Sequence, residues 1–283
     1  MSFYKKSNQH LWTGRNEKIS NGEPLYWHQA VECIDTSKLE LPILNDKEKG
    51  IALLGYVCDE GVYRNRGRGG ALEGPDAIRK MIAPQAYHLK DGVKVVDVGN
   101  ICCTDGDMEE AQNQIAIHVD NFLQKSYFPI LLGGGHDLAY GHYSGIKKFL
   151  DQAASSSTIG IVNLDAHFDL RTPLSRGNSG TPFSQIASDC QRDKTPFNYL
   201  CLGIQKAANH KLLFQKAHDL GVHYLLNDEF KSSNWSVIKG ELDKVLERVD
   251  YVYLTIDLDG FSSAYAPGVS APSPMGFSPE VVQ

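Results

Sequence analysis

The chain has 283 residues, of which 42% are hydrophobic and 22% charged, as is typical of a globular protein with a sizeable core. Its formal net charge of -6 argues against nucleic acid as a partner, because phosphate binding needs a surplus of Lys and Arg. No window approaches the roughly 18 apolar residues of a membrane span, and the amino terminus lacks the apolar run of a signal peptide. We therefore expect a cytoplasmic protein with no nucleic-acid or membrane partner.

The chain begins with a segment that lacks regular periodicity. Leu11, Trp12, Tyr26 and Trp27 predict that this N-terminal arm, residues 1–45, packs against the rest of the protein. From residue 50 onward, apolar runs of strand length alternate with segments of helical periodicity. The predicted strands are Ile51–Val57, Val93–Val98, Pro129–Leu132, Thr158–Leu164, Tyr199–Ile204, His223–Leu226 and Tyr251–Ile256.

Helical segments separate these strands. Pro75–Ala86 has proline near its first turn, and Met108–Gln124 has Ile115, Val119 and Phe122 at helical spacing. Most predicted strands are continuously apolar, which is typical of strands covered on both faces. The alternation predicts a mostly parallel central sheet between two layers of helices. We therefore predict a single α/β domain over residues 1–283 with a three-layer αβα architecture.

The six cysteines predict core thiols rather than a zinc site. None belongs to a C-x-x-C pair, and most lie in apolar runs. Buried cysteine behaves as a small hydrophobic residue, and cytosolic proteins keep their thiols reduced. The six are Cys33, Cys58, Cys102, Cys103, Cys190 and Cys201.

Polar motifs follow three of the predicted strands. In open α/β sheets, ligands bind beyond the carboxyl ends of the strands, so these motifs are the candidate site. They are G-G-G-H-D at 133–137, D-A-H-F-D at 165–169 and D-L-D-G at 257–260.

The spacing within these motifs predicts that their polar side chains converge. Alternate residues of an extended chain point to the same side, so Asp165, His167 and Asp169 can face one point. The pair Asp257 and Asp259 can do the same. His136 would join them from the first motif, where three glycines let the backbone pass close to the site.

This set of side chains predicts a site for two metal ions. Four carboxylates with nothing between them would repel one another and stay partly protonated, whereas two divalent cations would neutralise them. Bridging carboxylates would hold the ions roughly 3.5–4 Å apart. Oxygen-rich ligands with two imidazoles and no thiolate favour Mn²⁺ over structural zinc.

Each motif also has a simpler interpretation. A lone Asp at a strand end is often a helix cap, and a lone His after glycines is often an ordinary loop residue. The triple glycine lacks the Lys-Ser/Thr ending of a phosphate-binding loop. Three such motifs, each after a predicted strand, favour the metal site.

The motifs G-G-G-H-D, N-x-D-A-H-x-D and D-x-D-G, in this order, resemble those of the ureohydrolase family of arginases, agmatinases and formimidoylglutamases. The resemblance covers roughly residues 50–280. It implies an arginase-like αβα fold, two Mn²⁺ ions per chain, hydrolysis of a C–N bond at an amidine carbon, and assembly into a homo-oligomer. The family's metal ligands correspond to His136, Asp165, His167, Asp169, Asp257 and Asp259.

Two further stretches resemble the formimidoylglutamase branch. One runs from D-E-G-V at 59–62 to G-P at 74–75, and the other is G-N-S-G-T-P-F at 177–183. Arginases and agmatinases carry a histidine where this chain has Ser179, and that histidine is thought to shuttle protons for guanidine substrates. The resemblance therefore implies N-formimidoyl-L-glutamate as the substrate, with glutamate and formamide as products.

A substrate with two carboxylates needs cationic contacts. Guanidinium groups bind carboxylates bidentately, and Arg64, Arg66 and Arg68 lie in a glycine-rich loop after the first strand of the sheet, with Arg171 and Arg176 after the second metal motif. The predicted substrate-binding residues are Arg64, Arg68, Arg176, Asn178 and Ser179. For the arginine loop, a solvated basic loop or a subunit contact is the simpler alternative.

The expected reaction is attack by a metal-bridging hydroxide on the formimidoyl carbon. Asp169 is the first candidate for a catalytic role, because a metal-bound carboxylate can relay a proton to the leaving nitrogen. The family's substrate-contacting Glu, some forty residues beyond the D-x-D-G motif, has no counterpart here, since the chain stops at Gln283. We expect a truncated C-terminus, since Ser278-Pro279-Glu280 reads as the first turn of a helix.

Two other functions stay open at this point. An agmatinase or another guanidino hydrolase would release urea, and Ser179 argues against it. An inactive homologue could serve as a regulatory or binding subunit, which only the shortened end favours. The presence of all six ligand positions argues against that second possibility.

Overall fold

A computed structural model describes residues 2–17, 23–152 and 157–283; the part of the predicted arm at 18–22 lies outside these ranges. The strands are β1 (Tyr4–Lys5), β2 (Val31–Cys33), β3 (Lys49–Val57), β4 (Val93–Cys102), β5 (Tyr127–Leu132), β6 (Ile159–Leu164), β7 (Asn198–Ile204), β8 (His223–Leu226) and β9 (Tyr251–Ile256). The helices are α1 (Trp27–Ala30), α2 (Glu60–Arg64), α3 (Gly74–Ile82), α4 (Met108–Gln124), α5 (Leu138–Gln152), α6 (Pro182–Asp193), α7 (Lys211–Asp219) and α8 (Trp235–Leu246).

The chain divides into two compact units. The first comprises Met1–Glu60 and Gly70–Phe149, and the second comprises Gly61–Gly69 and Leu150–Gln283. The sheet of the first unit has the order β1-β4-β3-β5, with β2 also paired to β4. Its three long strands are parallel, and only β1 runs antiparallel to its neighbour.

The core of the first unit forms where α4 packs against its sheet. Asp107 caps this helix by accepting a hydrogen bond from the Glu110 amide. Residues at helical spacing, including Ile115, Val119 and Phe122, are fully buried in one hydrophobic cluster with the strand residues. The predicted bounds of this helix are confirmed. The helix predicted at Pro75–Ala86 is shorter, because it ends at Ile82 and Ala83 caps it.

The described residues of the predicted arm belong to the first unit, and Leu11 and Trp12 lie in its hydrophobic core. Both side chains are buried beside Val95 of β4, and the Trp12 indole donates a hydrogen bond of 2.7 Å to Asp97. The arm also contributes β1 and β2 to the sheet, which the sequence did not predict. Strands of two or three residues are too short to show a period.

The second unit has a wholly parallel sheet with the order β8-β7-β6-β9. The strand β6 is buried throughout. The strand β9 forms an edge of this sheet, and Tyr251, Val252, Leu254 and Ile256 are between 41% and 56% exposed. The expected α/β class with mostly parallel strands is confirmed. Within the described ranges, no helix is both long and apolar enough to cross a membrane.

Candidate metal centre

The candidate site of the second unit lies at the carboxyl ends of β6 and β9. These strands pair in parallel register, with Leu164 opposite Ile256, so Asp165 and Asp257 leave the sheet side by side. The amide of Asp257 donates to the carbonyl of Leu164 at 2.9 Å. Two motifs that are about ninety residues apart in sequence therefore meet at one point of the sheet.

Two groups of ligand atoms form at this point. Asp165, Asp169 and Asp257 offer carboxylate oxygens that lie within 4.8 Å of one another, and so do Asp165, His167 and Asp259 through oxygen and imidazole nitrogen atoms. The His167 Nδ1 lies 3.2 Å from Asp259 Oδ1 and 3.4 Å from Asp165 Oδ1. Asp165 belongs to both groups, which is the arrangement of a carboxylate that bridges two ions.

A bend in the backbone helps to bring these side chains together. The chain bends at Ala166 and His167, and Asp169 has a φ of 47°, in the left-handed region that non-glycine residues rarely adopt. The alternation of an extended strand was therefore an incomplete explanation for their convergence. The strand ends at Leu164, and a turn then carries Asp169 back toward Asp165 and Asp257.

The electrostatics of this cluster fit a divalent cation. Burial raises the pKa of Asp259 well above its usual value, and the neighbouring charges of Asp257 and Asp165 raise it further. Burial would lower the pKa of His167, but its hydrogen bonds to Asp165 and Asp259 raise it to about 12. Crowded carboxylates that hold onto protons are stabilised when metal ions take the place of those protons. The donor set therefore suits oxygen-preferring divalent ions.

His136 belongs to the first unit, where it follows β5 and is 8% exposed. Gly134, two residues before it, has a steric purpose, because a Cβ there would lie 2.2 Å from the Cys58 carbonyl oxygen. Asp137 is fixed by hydrogen bonds, since its carboxylate accepts from the Tyr56 hydroxyl at 2.7 Å and its carbonyl from Gln112 at 2.8 Å. The first unit thus fixes the backbone around His136, whose role as a ligand stays a prediction.

The predicted substrate arginines make hydrogen bonds to backbone carbonyls. Arg64 donates to Gly177 at 3.1 Å, and Arg68 donates to Val269 at 2.6 Å. Arg176 is exposed. The roles of these arginines in substrate binding stay predictions.

Ser179 and Asn178 lie in a tightly hydrogen-bonded turn. The Ser179 hydroxyl accepts from Asn65 at 3.2 Å, and its amide donates to Gly61 at 3.0 Å. The Asn178 carboxamide oxygen accepts from the Gly180 amide at 2.9 Å. The turn therefore attaches to the segment that carries Arg64 and Arg68, all within the second unit, while contact of either residue with substrate stays a prediction.

Two supporting residues escaped the sequence analysis, and a third, Asn163, entered it only as the first residue of the N-x-D-A-H-x-D motif. Asn163 is fully buried in β6 and donates to Asp165 at 3.0 Å. Tyr199 of β7 donates to the Phe168 carbonyl at 3.0 Å, and Asn209 bonds the backbone on both sides of His167. The polar Asn163 inside an otherwise apolar strand was a usable signal. For the other two, no signal existed without knowledge of the sheet order.

Comparison with known proteins gives this geometry a family context. The family model described as "Arginase family" matches residues 49–283. The formimidoylglutamase of Aeromonas hydrophila is 41% identical over 273 residues, covering 96% of this chain and 83% of that protein. The formimidoylglutamase of Clostridium tetani is 40% identical over 282 residues, covering 99% of this chain and 82% of that protein.

Solved structures agree with the sequence comparisons. The Trypanosoma cruzi formiminoglutamase with Mn²⁺ aligns with a TM-score of 0.69 and 26% identity, covering 84% of this chain and 79% of that one. The arginase of Bacillus subtilis aligns with a TM-score of 0.67 and 25% identity, covering 82% of each chain. These matches confirm the arginase-like α/β fold and the resemblance of the chain to this family. The chain belongs to the arginase family.

Proposed function

We propose that the protein hydrolyses N-formimidoyl-L-glutamate to L-glutamate and formamide. The observation that carries this proposal is identity of about 40% to formimidoylglutamases over nearly the whole chain. Water adds to the formimidoyl carbon, and the bond from that carbon to the glutamate nitrogen breaks. The oxygen stays in formamide, and the nitrogen leaves as the amine of glutamate.

We propose two Mn²⁺ ions per chain as the cofactor. Asp165, Asp169 and Asp257 would hold one ion. Asp165, His167 and Asp259 would hold the other, and Asp257 could also contribute. Bound ions of this kind act as Lewis acids and lower the pKa of a coordinated water. The support lies in the donor set and in the Mn²⁺ of the T. cruzi formiminoglutamase.

The chain's own side chains would supply proton transfer and substrate orientation. Asp169 would carry a proton to the leaving nitrogen, since its backbone turn brings its carboxylate back among the other ligands. Arg64, Arg68 and Arg176 would bind the two substrate carboxylates, with Asn178 and Ser179 forming the neighbouring wall. Ser179 cannot transfer protons as an imidazole does, so the site suits an amidine better than a guanidine.

The decisive experiment compares substrates with the Mn²⁺-loaded chain. We expect formamide and glutamate from N-formimidoyl-L-glutamate at a kcat/KM at least about a hundredfold above that for agmatine or arginine. Urea release from a guanidine at the higher rate would overturn the assignment. No turnover of any of the three by metal-loaded protein would support the inactive homologue instead.

We further propose a cytoplasmic homo-oligomer. The support is the family resemblance and the absence of a membrane-crossing helix among the described residues. Sedimentation velocity of the Mn²⁺-loaded chain tests the assembly. A species larger than the 31.3 kDa of one chain is expected, and a strictly monomeric protein at micromolar concentration would contradict the proposal.

A further inference from the structure

Asn209 lies in the segment that follows β7 and is only 4% exposed. Its Nδ2 donates to the carbonyl of Ala166 at 2.8 Å and to that of Gln205 at 2.9 Å. Its Oδ1 accepts from the amide of Phe168 at 3.1 Å. Both donated protons and the acceptor of this carboxamide are therefore engaged, and two of the three bonds reach the backbone on either side of His167.

These bonds supplement a strand pairing that ends early. Beyond Leu164 the backbone leaves β6 and bends, and the Ala166 carbonyl still accepts from the Gln205 amide, just after β7, at 3.0 Å. A buried peptide group without a partner destabilises the fold. Asn209 supplies an acceptor for the Phe168 amide and a further donor to the Ala166 carbonyl, while Cys201 and Tyr199 donate to the carbonyls of His167 and Phe168.

We infer that Asn209 is a positioning residue for the metal centre, a role that rests on the proposed binding of Mn²⁺. Its carboxamide bonds backbone groups of Ala166, Phe168 and Gln205 rather than the proposed ligand atoms. Its hydrogen bonds fix the peptide groups that flank His167. They thereby orient the imidazole relative to Asp165 and Asp259. Phe168, whose amide Asn209 binds, directly precedes Asp169 with its left-handed backbone conformation.

The test compares Asn209→Ala with Asn227→Ala. Asn227 offers a matched control, because its carboxamide also donates to a backbone carbonyl of the second unit, that of Met275 at 2.7 Å. In the metal-free chain, we expect Asn209→Ala to speed hydrogen exchange of the Phe168 amide by about tenfold. We expect its Mn²⁺ affinity to fall by about 10–100-fold, with Asn227→Ala unchanged on both measures.

Two outcomes would overturn the inference. One is unchanged exchange at Phe168 in Asn209→Ala, and the other is faster exchange with undiminished Mn²⁺ affinity. Should Asn209→Ala fail to fold, Asn209→Asp decides, because it keeps the acceptor for the Phe168 amide. That variant should protect Phe168 as the wild type does, and loss of the protection would contradict the assignment. Wild-type protein that binds no Mn²⁺ would refute the proposed metal centre, whereas the exchange rates would still decide whether Asn209 holds the loop.

Discussion

Asp165 links the two groups of ligand atoms more directly than any other residue of the second unit. It is fully buried, it belongs to both groups, and Asn163 holds one of its carboxylate oxygens. Its other oxygen accepts the amide of His167 at 2.7 Å. A side chain fixed in this way can bridge two ions without reorganising when they bind.

Replacing this shared carboxylate should affect both ions. We expect Asp165→Asn to weaken the binding of both Mn²⁺ ions by at least about a hundredfold, because the amide cannot bridge as a carboxylate does. Asp259→Asn should weaken the binding of one Mn²⁺ ion more than that of the other. Equilibrium dialysis with metal analysis measures both, and Asp228→Asn, at an exposed position, is the control. Two ions bound to Asp165→Asn with unchanged affinity would refute the bridging role.

A second prediction at the scale of single residues concerns pH. Burial of His142 in α5 lowers its pKa to about 3, whereas an unfolded chain binds this proton near pH 6.5. Between these values the unfolded state holds more protons, so the free energy of unfolding decreases as the pH falls. His142→Gln should reduce the slope of that free energy against pH by up to about 1.4 kcal/mol per unit.

Urea titrations at pH 5 and pH 7 measure the slope, with the exposed His218→Gln as control. An equal slope in wild-type and His142→Gln protein would contradict the burial of a neutral imidazole. A reduced slope in the control would mean that the histidine effect is not specific to buried positions.

At the scale of strands and helices, the positions of the strands along the chain could be predicted better than which strands are neighbours in a sheet. Strands β3 to β9 lie where continuous apolar runs occur, because buried parallel strands need apolar residues on both faces. Which strands are neighbours depends on contacts between distant segments, and periodicity carries no information about them. The division into two sheets, and the short β1 and β2, therefore became visible only in the structure.

The same distinction applies to the candidate site. The convergence of the candidate ligands of the second unit could be predicted, because each follows a strand and carries unusual chemistry for that place, while their binding of metal stays a prediction. Asn209 and Tyr199 could not, since their importance arises from the pairing of β7 with β6. The hydrogen bonds of Arg64 and Arg68 to backbone carbonyls also escaped prediction, because a basic loop shows nothing in sequence about its partners.

A buried ion pair gives a prediction for the elements of the first unit. Arg79 of α3 donates from Nε and Nη2 to the two carboxylate oxygens of Asp97 in β4, at 2.9 and 2.8 Å, and both side chains are at most 1% exposed. Because removal of one partner leaves the other charge buried, we expect Arg79→Met to lower the free energy of unfolding by about 3–5 kcal/mol.

Arg192 provides the matched control for this prediction. It also contacts two carboxylates, Asp189 and Asp193, but its side chain is 67% exposed. Arg192→Met should therefore lower the free energy of unfolding by at most about 1 kcal/mol. Urea unfolding followed by circular dichroism measures both variants. Equal losses would mean that burial does not determine the contribution of the Arg79 pair.

For the molecule as a whole, the edge at β9 is the feature with the clearest consequence. Parallel strands are normally covered on both faces, and among the described residues only β6 pairs with this strand. An exposed apolar edge can pair with another chain. We expect Leu254→Lys, at a position 56% exposed, to reduce concentration-dependent light scattering, and Leu212→Lys, at an exposed position in α7, to leave it unchanged. Equal effects would exclude the edge as the site of association.

The metal centre is the central claim of this account, and anomalous diffraction at the manganese edge tests it most directly. Crystals grown with Mn²⁺ should show two anomalous peaks roughly 3.5–4 Å apart, with Asp165 bound to both ions. His167 and Asp259 should contact one of them, and Asp169 the other. A single peak, or two peaks that Asp165 does not join, would contradict the binuclear site.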